Sequence, residues 1–202
     1  MQVLYEQICQ TTRAAGPVLI CGQSGVGKEL ITRALHQKSD RADGPLLPVN
    51  CAGIPAEFLE SESFGHACGA FAGAQRVRRG LFSEAHGGML LLDEIGEWAL
   101  DLQAKRLRGL RDGRARPVGA NFERTVDVRI VAAMHRNLPR EVARREFRED
   151  LPYRLNTFKL QVSPLRQRGG DLRRLGRDFI RYLGAHLRCD IERSAMRRLR
   201  SL

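Results

Sequence analysis

Gly22-Gln-Ser-Gly-Val-Gly-Lys28-Glu29 is the stretch on which the reading of this chain turns. It fits the phosphate-binding pattern G-x-x-x-x-G-K, with Glu29 standing where Ser or Thr is usual. Gly22, Gly25 and Gly27 let the backbone N–H groups around Gln23, Ser24 and Val26 point inward at phosphate oxygens, and Lys28 supplies a cation for the β- and γ-phosphates. Pro17–Cys21 ahead of the loop reads as a short buried strand. Lys28–His36 after it reads as a helix with Leu30, Ile31, Ala34 and Leu35 on its apolar side. Strand, glycine loop and helix N-terminus is the order that anion binding requires. The hydroxyl usual after the lysine is a magnesium ligand, so Glu29 marks either a defect or a subclass.

About 65 residues further on, Gly88-Met-Leu-Leu-Leu-Asp93-Glu94 is an apolar strand that ends in two acids. This is the Walker B form. Asp93 would hold magnesium, and Glu94 would polarise the attacking water as general base or orienter. Asn50 follows a second strand, Leu46–Asn50, and is placed to hydrogen-bond Glu94. His135 follows a strand over Val128–Met134 and is placed to sense the γ-phosphate. Arg148 and Arg154 lie six residues apart, almost two helical turns. An arginine donated to a neighbour's nucleotide contributes about 10³–10⁵ in rate, although arginine is abundant in this chain and a surface charge is the plainer reading of each.

Strands alternating with helices predict an α/β fold with a parallel sheet covered on both faces, whose ligands lie at the carboxyl ends of the strands. Val3–Thr12 and about Pro55–Ser61 read as short helices, Leu100–Arg111 as a longer one, Phe147–Leu155 as a charged one and Thr157–Val162 as a last strand. Phe64–Gly80 reads as an exposed loop inserted in a helical region, and Arg114–Thr125 as a second insert with hairpin character. From Pro164 the character changes. Asp171 is expected to cap a helix to about Leu187 with Leu172, Leu175, Phe179 and Leu183 on one face, and Ile191–Leu202 reads as a partial helix. The expected division is 1–163 for the α/β nucleotide-binding subdomain and 164–202 for the start of a helical lid.

At 202 residues and 43% hydrophobic content the chain can build a proper core. No run of 18 apolar residues predicts a membrane span, and the N-terminus lacks a signal-peptide core, so the cytoplasm is expected. Five scattered cysteines without a C-x-x-C suggest neither a disulfide framework nor a zinc ribbon, and the His66, Cys68, His86 spacing matches no standard ligand set. The net charge of +11 is uneven: residues 1–100 hold 8 basic and 11 acidic residues, residues 101–202 hold 26 and 12. Such asymmetry suits either a nucleic-acid surface or solvated helix faces. No stretch interleaves these arginines with aromatics as a single-strand binder would.

Several longer stretches carry a family resemblance: GQSGVGKELITRALH, PVNCAGIPAEFLESESFGH, GAFAGA, GGMLLLDEIGEWALDLQAKRL, DVRIVAA, FREDLPYRLN and PLRQRGGDL, in that order. From about Val18 to Leu175 the chain resembles the central AAA+ domain of bacterial enhancer-binding proteins, the ATPases that activate sigma-54 RNA polymerase. The resemblance implies a P-loop NTPase that binds ATP and Mg²⁺ and assembles as a ring, most often a hexamer. It implies that Glu29 is a family signature, that Asn50 switches Glu94 between states, and that Arg148 and Arg154 act across the subunit interface. Gly69-Ala70-Phe71-Ala72-Gly73-Ala74 aligns with the family's GAFTGA loop, which touches sigma-54. The second insert would be the other pore-side loop.

Departures from the family are informative too. Ala72 replaces a Thr important for the sigma-54 contact, Ser63 replaces a usual Leu, Ala67-Cys68 replaces a charged pair, and Met134-His135 stands where Thr-Asn is typical. The family would continue past Leu202 with a W-P-G-N-V-R-E-L-like second-sensor segment and a helix-turn-helix. The leading expectation is an ATPase that remodels sigma-54 holoenzyme. The alternative is a truncated or decaying nucleotide-binding paralogue that modulates other members in mixed rings. A third class, direct binding of nucleic acid through the basic half, leaves promoter DNA as a contact but lacks a recognisable reading helix.

Overall fold

A computed structural model describes residues 2–97, 113–135, 138–144 and 158–187. The chain divides into two compact units, Gln2–Val162 and Ser163–Leu202.

The first unit is built on five parallel strands. They are β1 (Val18–Cys21), β2 (Leu46–Asn50), β3 (Met89–Asp93), β4 (Arg129–Met134) and β5 (Phe158–Gln161). Their order across the sheet is β2-β3-β4-β1-β5, every neighbouring pair parallel. The central strands are apolar at consecutive positions because both faces are covered, as a parallel sheet between helices requires. Leu19, Leu90, Leu92, Ile130 and Ala132 face one cluster with Leu59, Phe64 and Phe82. Val18, Ile20, Met89, Leu91, Val131 and Ala133 face the other, with Leu4, Ile8, Ile31 and Leu35. The period of two along each strand assigns alternate residues to the two cores.

Helix α1 (Gln2–Thr12) and helix α2 (Lys28–Gln37) cover the second face, α3 (Ala56–Phe64) and the short α4 (Leu81–Glu84) the first. In α2 the buried face is Lys28, Ile31, Thr32, Leu35 and His36. Leu30, expected on the apolar side, is instead exposed. Leu30 lies about 200° around the helix from Lys28, on the side opposite the arc that holds the buried residues. Arg129 at the start of β4 is buried and donates to the carbonyls of Thr11, Thr12 and Gly16 at 2.6, 3.3 and 3.3 Å. It thereby caps the C-terminal end of α1, where a cation meets the helix's unpaired carbonyls.

Both inserts have paired bases. Gly65–His66 runs antiparallel to Arg78–Arg79, and Arg114–Ala115 antiparallel to Arg124–Thr125. Phe64–Gly80 is therefore more ordered than an exposed loop: His66 and Ala74 are buried, and Gly65 packs where any Cβ would lie 2.3 Å from the Arg78 carbonyl.

In the second unit, helix α6 spans Gly169–Leu187, following α5 (Leu138–Ala143) of the first. Asp171 sits inside the first turn of α6 rather than at its cap, because the helix begins two residues early at Gly169. Its carboxylate lies 3.6 Å from Arg168. Leu172, Leu175 and Phe179 are exposed. Among the described residues no helix is long and apolar enough to cross a membrane. The expected helices over 100–111, 147–155 and 191–202 lie outside the described residues.

Candidate nucleotide site

Strand register brings the site together. Cys21 pairs with Met134, and Asn50 pairs with Asp93, so the glycine loop, Asn50, Asp93, Glu94 and His135 all leave the sheet at its carboxyl end. The Gly22 N–H donates to the Met134 carbonyl at 3.1 Å, which sets the loop directly beside the strand that ends in His135. Gly22 has no room for a side chain: a Cβ there would meet the Val162 carbonyl and Val26 Cγ2, each at 2.9 Å. Gly27, with φ 98°, takes the left-handed turn that starts α2, and the Ile31 N–H closes the first helical bond to its carbonyl at 3.1 Å.

Lys28 is buried, and its Nζ donates to Glu94 Oε1 at 3.2 Å and to the Gly22 carbonyl at 3.4 Å. Glu94 Oε2 accepts from His135 Nδ1 at 2.5 Å, so His135 carries its proton on Nδ1. Burial works against the charge on Glu94, but the hydrogen bonds from His135 and Lys28 outweigh it and hold the carboxyl below its ordinary 4.5. Glu94 is the one non-glycine residue at positive φ among those described, at 55°. This left-handed turn directs its side chain back toward Lys28, and Asp93 Oδ1 supports it by accepting the Glu94 N–H at 3.0 Å. Burial also pushes the Cys21 thiol up, against the nearby Lys159 and Lys28 charges.

Two of the candidate side chains are held by local partners in this structure. Asn50 does not hold Glu94 here. Its Oδ1 accepts the Ala52 N–H at 3.0 Å and caps a single 3₁₀ turn, a short local bond that competes with the longer reach across strands. Glu29 does not turn into the glycine loop. It is exposed and pairs with Arg33 one helical turn on, at 2.8 Å. His135, expected only toward phosphate, has Glu94 as its partner. Arg148 and Arg154 lie outside the described residues.

The 69–74 loop folds on itself. Gly69 N–H donates to the Ala74 carbonyl at 2.8 Å, Ala74 N–H to the Phe71 carbonyl at 3.0 Å, and Gly69 and Gly73 take φ of 78° and 100°. The Phe71 ring stands edge-on to His66, centroids 5.0 Å apart, while His66 Nδ1 lies 2.7 Å from Ser61 Oγ. His86, the other histidine considered for metal, accepts the Asp127 N–H at 3.0 Å. No signal in the sequence marks this loop-to-histidine packing, because it depends on a buried His66 brought in by pairing with Arg78.

Known proteins agree with this architecture. Residues 1–161 match the family described as the sigma-54 interaction domain. The DNA-binding transcriptional regulator NtrC of Salmonella typhimurium is 47% identical over 93% of this chain, which spans 40% of that protein. NtrX from Brucella abortus, solved in complex with ATP, superposes with a TM-score of 0.83 at 37% identity, covering 91% of this chain and 40% of that one. The P-loop NTPase domain of a sigma-54 transport activator from E. coli shares the fold alone, with a TM-score of 0.54 at 15% identity, covering 81% of this chain and 94% of that one. The fold is that of a P-loop NTPase of the AAA+ type, and the chain belongs to the sigma-54 interaction domain family.

Proposed function

We propose that the chain binds ATP with magnesium, hydrolyses it within a ring of subunits, and uses the cycle to remodel sigma-54 RNA polymerase in the cytoplasm. The observation that carries this is the convergence of Lys28, Asp93, Glu94 and His135 at the ends of three neighbouring strands beside a glycine loop. The α/β part, 1–163, would be the nucleotide-binding subdomain and 164–202 part of a helical lid.

The residues fit magnesium. Asp93 is a hard oxygen donor with one oxygen used by the Glu94 N–H, and magnesium commonly takes one or two carboxylates with phosphate oxygens and waters. Glu29 faces Arg33, so Asp93 would be the protein ligand. Held by Asp93, magnesium would supply charge neutralisation for the transferring phosphoryl group. Gln23, Ser24, Gly25 and Val26 would cradle the phosphates through backbone N–H groups. Phosphate oxygens compete with Glu94 for Lys28. Once Lys28 turns to phosphate, Glu94 stays ionised on the His135 hydrogen bond and takes up an attacking water. Asn50 would trade its Ala52 cap for Glu94 in one state of the cycle, and a neighbour's Arg148 and Arg154 would complete the site. The 69–74 loop would carry the output, with Phe71 leaving His66 to meet sigma-54.

The test is nucleotide titration of wild type and Lys28→Ala. Removing the charge-assisted bonds should weaken ATP by about 100-fold or more. Equal affinity in the two proteins would remove Lys28 from the site.

A further inference from the structure

The two inserts are one body. The Ala67 N–H donates to the Val118 carbonyl and the Val118 N–H to the Gly65 carbonyl, both at 2.9 Å, so His66 has Arg78 as its partner on one side and Val118 on the other. Ala70 packs so tightly on Gly119 that a Cβ there would lie 2.7 Å from the Ala70 Cβ. Strands paired this way lie about 4.8 Å apart, so arginines far apart in sequence are gathered on one small platform.

Residues 65–80 and 113–125 carry Arg76, Arg78, Arg79, Arg114, Arg116 and Arg124 against a single acid, Glu123. All six are exposed. Arg114 and Arg116 converge on Glu123 at 3.7 and 3.0 Å, and Arg78 pairs with Glu62 of α3. Among the described residues Arg76, Arg79 and Arg124 have no carboxylate partner. Phe122 is exposed, with the Arg124 guanidinium 5.5 Å from its ring centroid, and Val77 beside Arg76 and Arg78 is exposed as well. A patch with three guanidinium groups that lack a carboxylate partner among the described residues, beside an open aromatic ring, is costly through self-repulsion. Its complement is a surface with closely spaced bidentate acceptors and apolar faces, and duplex DNA carries about one phosphate charge per 1.7 Å of axis.

We propose that the docked inserts form a cationic platform that grips the sugar–phosphate backbone of double-stranded DNA without reading its sequence. Guanidinium groups fork onto phosphates, and no helix or strand of the platform supplies the ordered base contacts that specificity needs. This goes beyond the ATPase reading and does not require it, since the platform uses none of Lys28, Asp93, Glu94 or His135.

The test is fluorescence anisotropy of a labelled duplex of about 30 base pairs with the whole chain, without nucleotide, from about 50 to 200 mM salt. Binding should weaken steeply with salt. The triple variant Arg76→Ala, Arg79→Ala, Arg124→Ala should bind at least about 10-fold more weakly at low salt, with a log–log salt slope shallower by about 2–3, at roughly 0.9 for each phosphate no longer neutralised. The matching lysine triple keeps the charge and should retain most of the slope, which ties the effect to cations on a folded platform. Arg174→Ala, Arg177→Ala, Arg181→Ala removes the same charge from α6 and should leave the slope near wild type. The proposal is overturned if both alanine triples lose binding equally, or if neither does. It is also overturned if poly-glutamate binds wild type more tightly than the duplex and no longer does so in the insert triple, since the platform would then serve an acidic protein.

Discussion

The Lys28 ammonium lies 3.2 Å from Glu94 Oε1, across 66 residues of sequence, and the two groups neutralise each other inside the site. Glu94 reaches this contact from a left-handed backbone conformation that costs a residue with a side chain about 1–2 kcal/mol. Its bonds to Lys28 and His135 offset that cost. The same three groups are those that phosphoryl transfer would employ, so the arrangement links stability of the site to its chemistry.

The sign of the Glu94 shift gives a pH dependence. Its folded-state pKa is depressed, so its contribution to stability is complete above its ordinary 4.5 and is lost as the pH falls through the lower folded value. Glu94→Gln should therefore narrow the gap in unfolding midpoint from wild type as acid is added below 4.5, and leave a constant gap at higher pH. The same variant should keep ATP affinity while hydrolysis falls by about 10²–10⁴, the usual share of a general base. Unaltered turnover would show that another group orients the water.

Arg129 predicts a stability effect remote from the nucleotide. Burial lowers its pKa, yet guanidinium remains charged and is held by three backbone carbonyls. Chemical denaturation of Arg129→Met should show a loss of about 1–3 kcal/mol, because the Thr12 and Gly16 carbonyls lose their donor while the Thr11 carbonyl keeps the Ala14 N–H. A change below about 0.5 kcal/mol, the range of ordinary surface substitutions, would mean that water replaces the arginine.

The fold was legible because its signals are local and mutually consistent. Four-residue apolar runs, a glycine loop and a terminal Asp-Glu each state their own structure, and five strands with helices on both faces follow. The proposed site positions follow the same local logic: Asp93, Glu94 and His135 sit at or just beyond a strand end, and Lys28 opens the helix after the glycine loop. Side-chain partnerships were not legible. Asn50 chose a neighbour two residues away and Glu29 chose Arg33, because such choices depend on rotamers and on competition from local partners. The docking of the two inserts was also hidden. It rests on one parallel bridge between His66 and Val118 and on the absence of a side chain at Gly119, neither of which has a period or a motif.

Gly119 offers a way to move the 69–74 loop without touching the nucleotide. It has φ +74°, and an added Cβ would lie 2.7 Å from the Ala70 Cβ. Gly119→Ala should cost about 1–2 kcal/mol in stability from the left-handed backbone and shift the loop off the second insert. Basal ATP hydrolysis should stay near wild type while affinity for sigma-54, measured with an ATP transition-state analogue, changes by at least about 5-fold, or roughly 1 kcal/mol. Ala72→Thr restores the hydroxyl typical of the family at an exposed position and should strengthen the same binding. Identical sigma-54 affinity in wild type and both variants would exclude this loop from the contact.

Arg148 and Arg154 complete the proposed site only if they are supplied by a neighbour, and this gives a signature that a self-contained site lacks. Turnover per subunit should rise with protein concentration through the assembly range and then level off. Arg148→Ala or Arg154→Ala should lower the plateau by about 10³ or more, the scale of a donated arginine at a transferring phosphoryl group, with ATP affinity held within about 10-fold. Mixing supplies the sharper readout. Lys28→Ala subunits cannot hold nucleotide but still present their arginines, whereas Arg154→Ala subunits hold nucleotide but lack a finger. Each is inactive alone, yet a mixed ring creates interfaces at which the first protein's arginine faces the second protein's nucleotide. Hydrolysis should reappear on mixing, reaching its maximum near equal proportions. If the mixture stays at the sum of its silent parts while both proteins assemble, the arginines act within their own subunit, and the proposed ring mechanism is wrong.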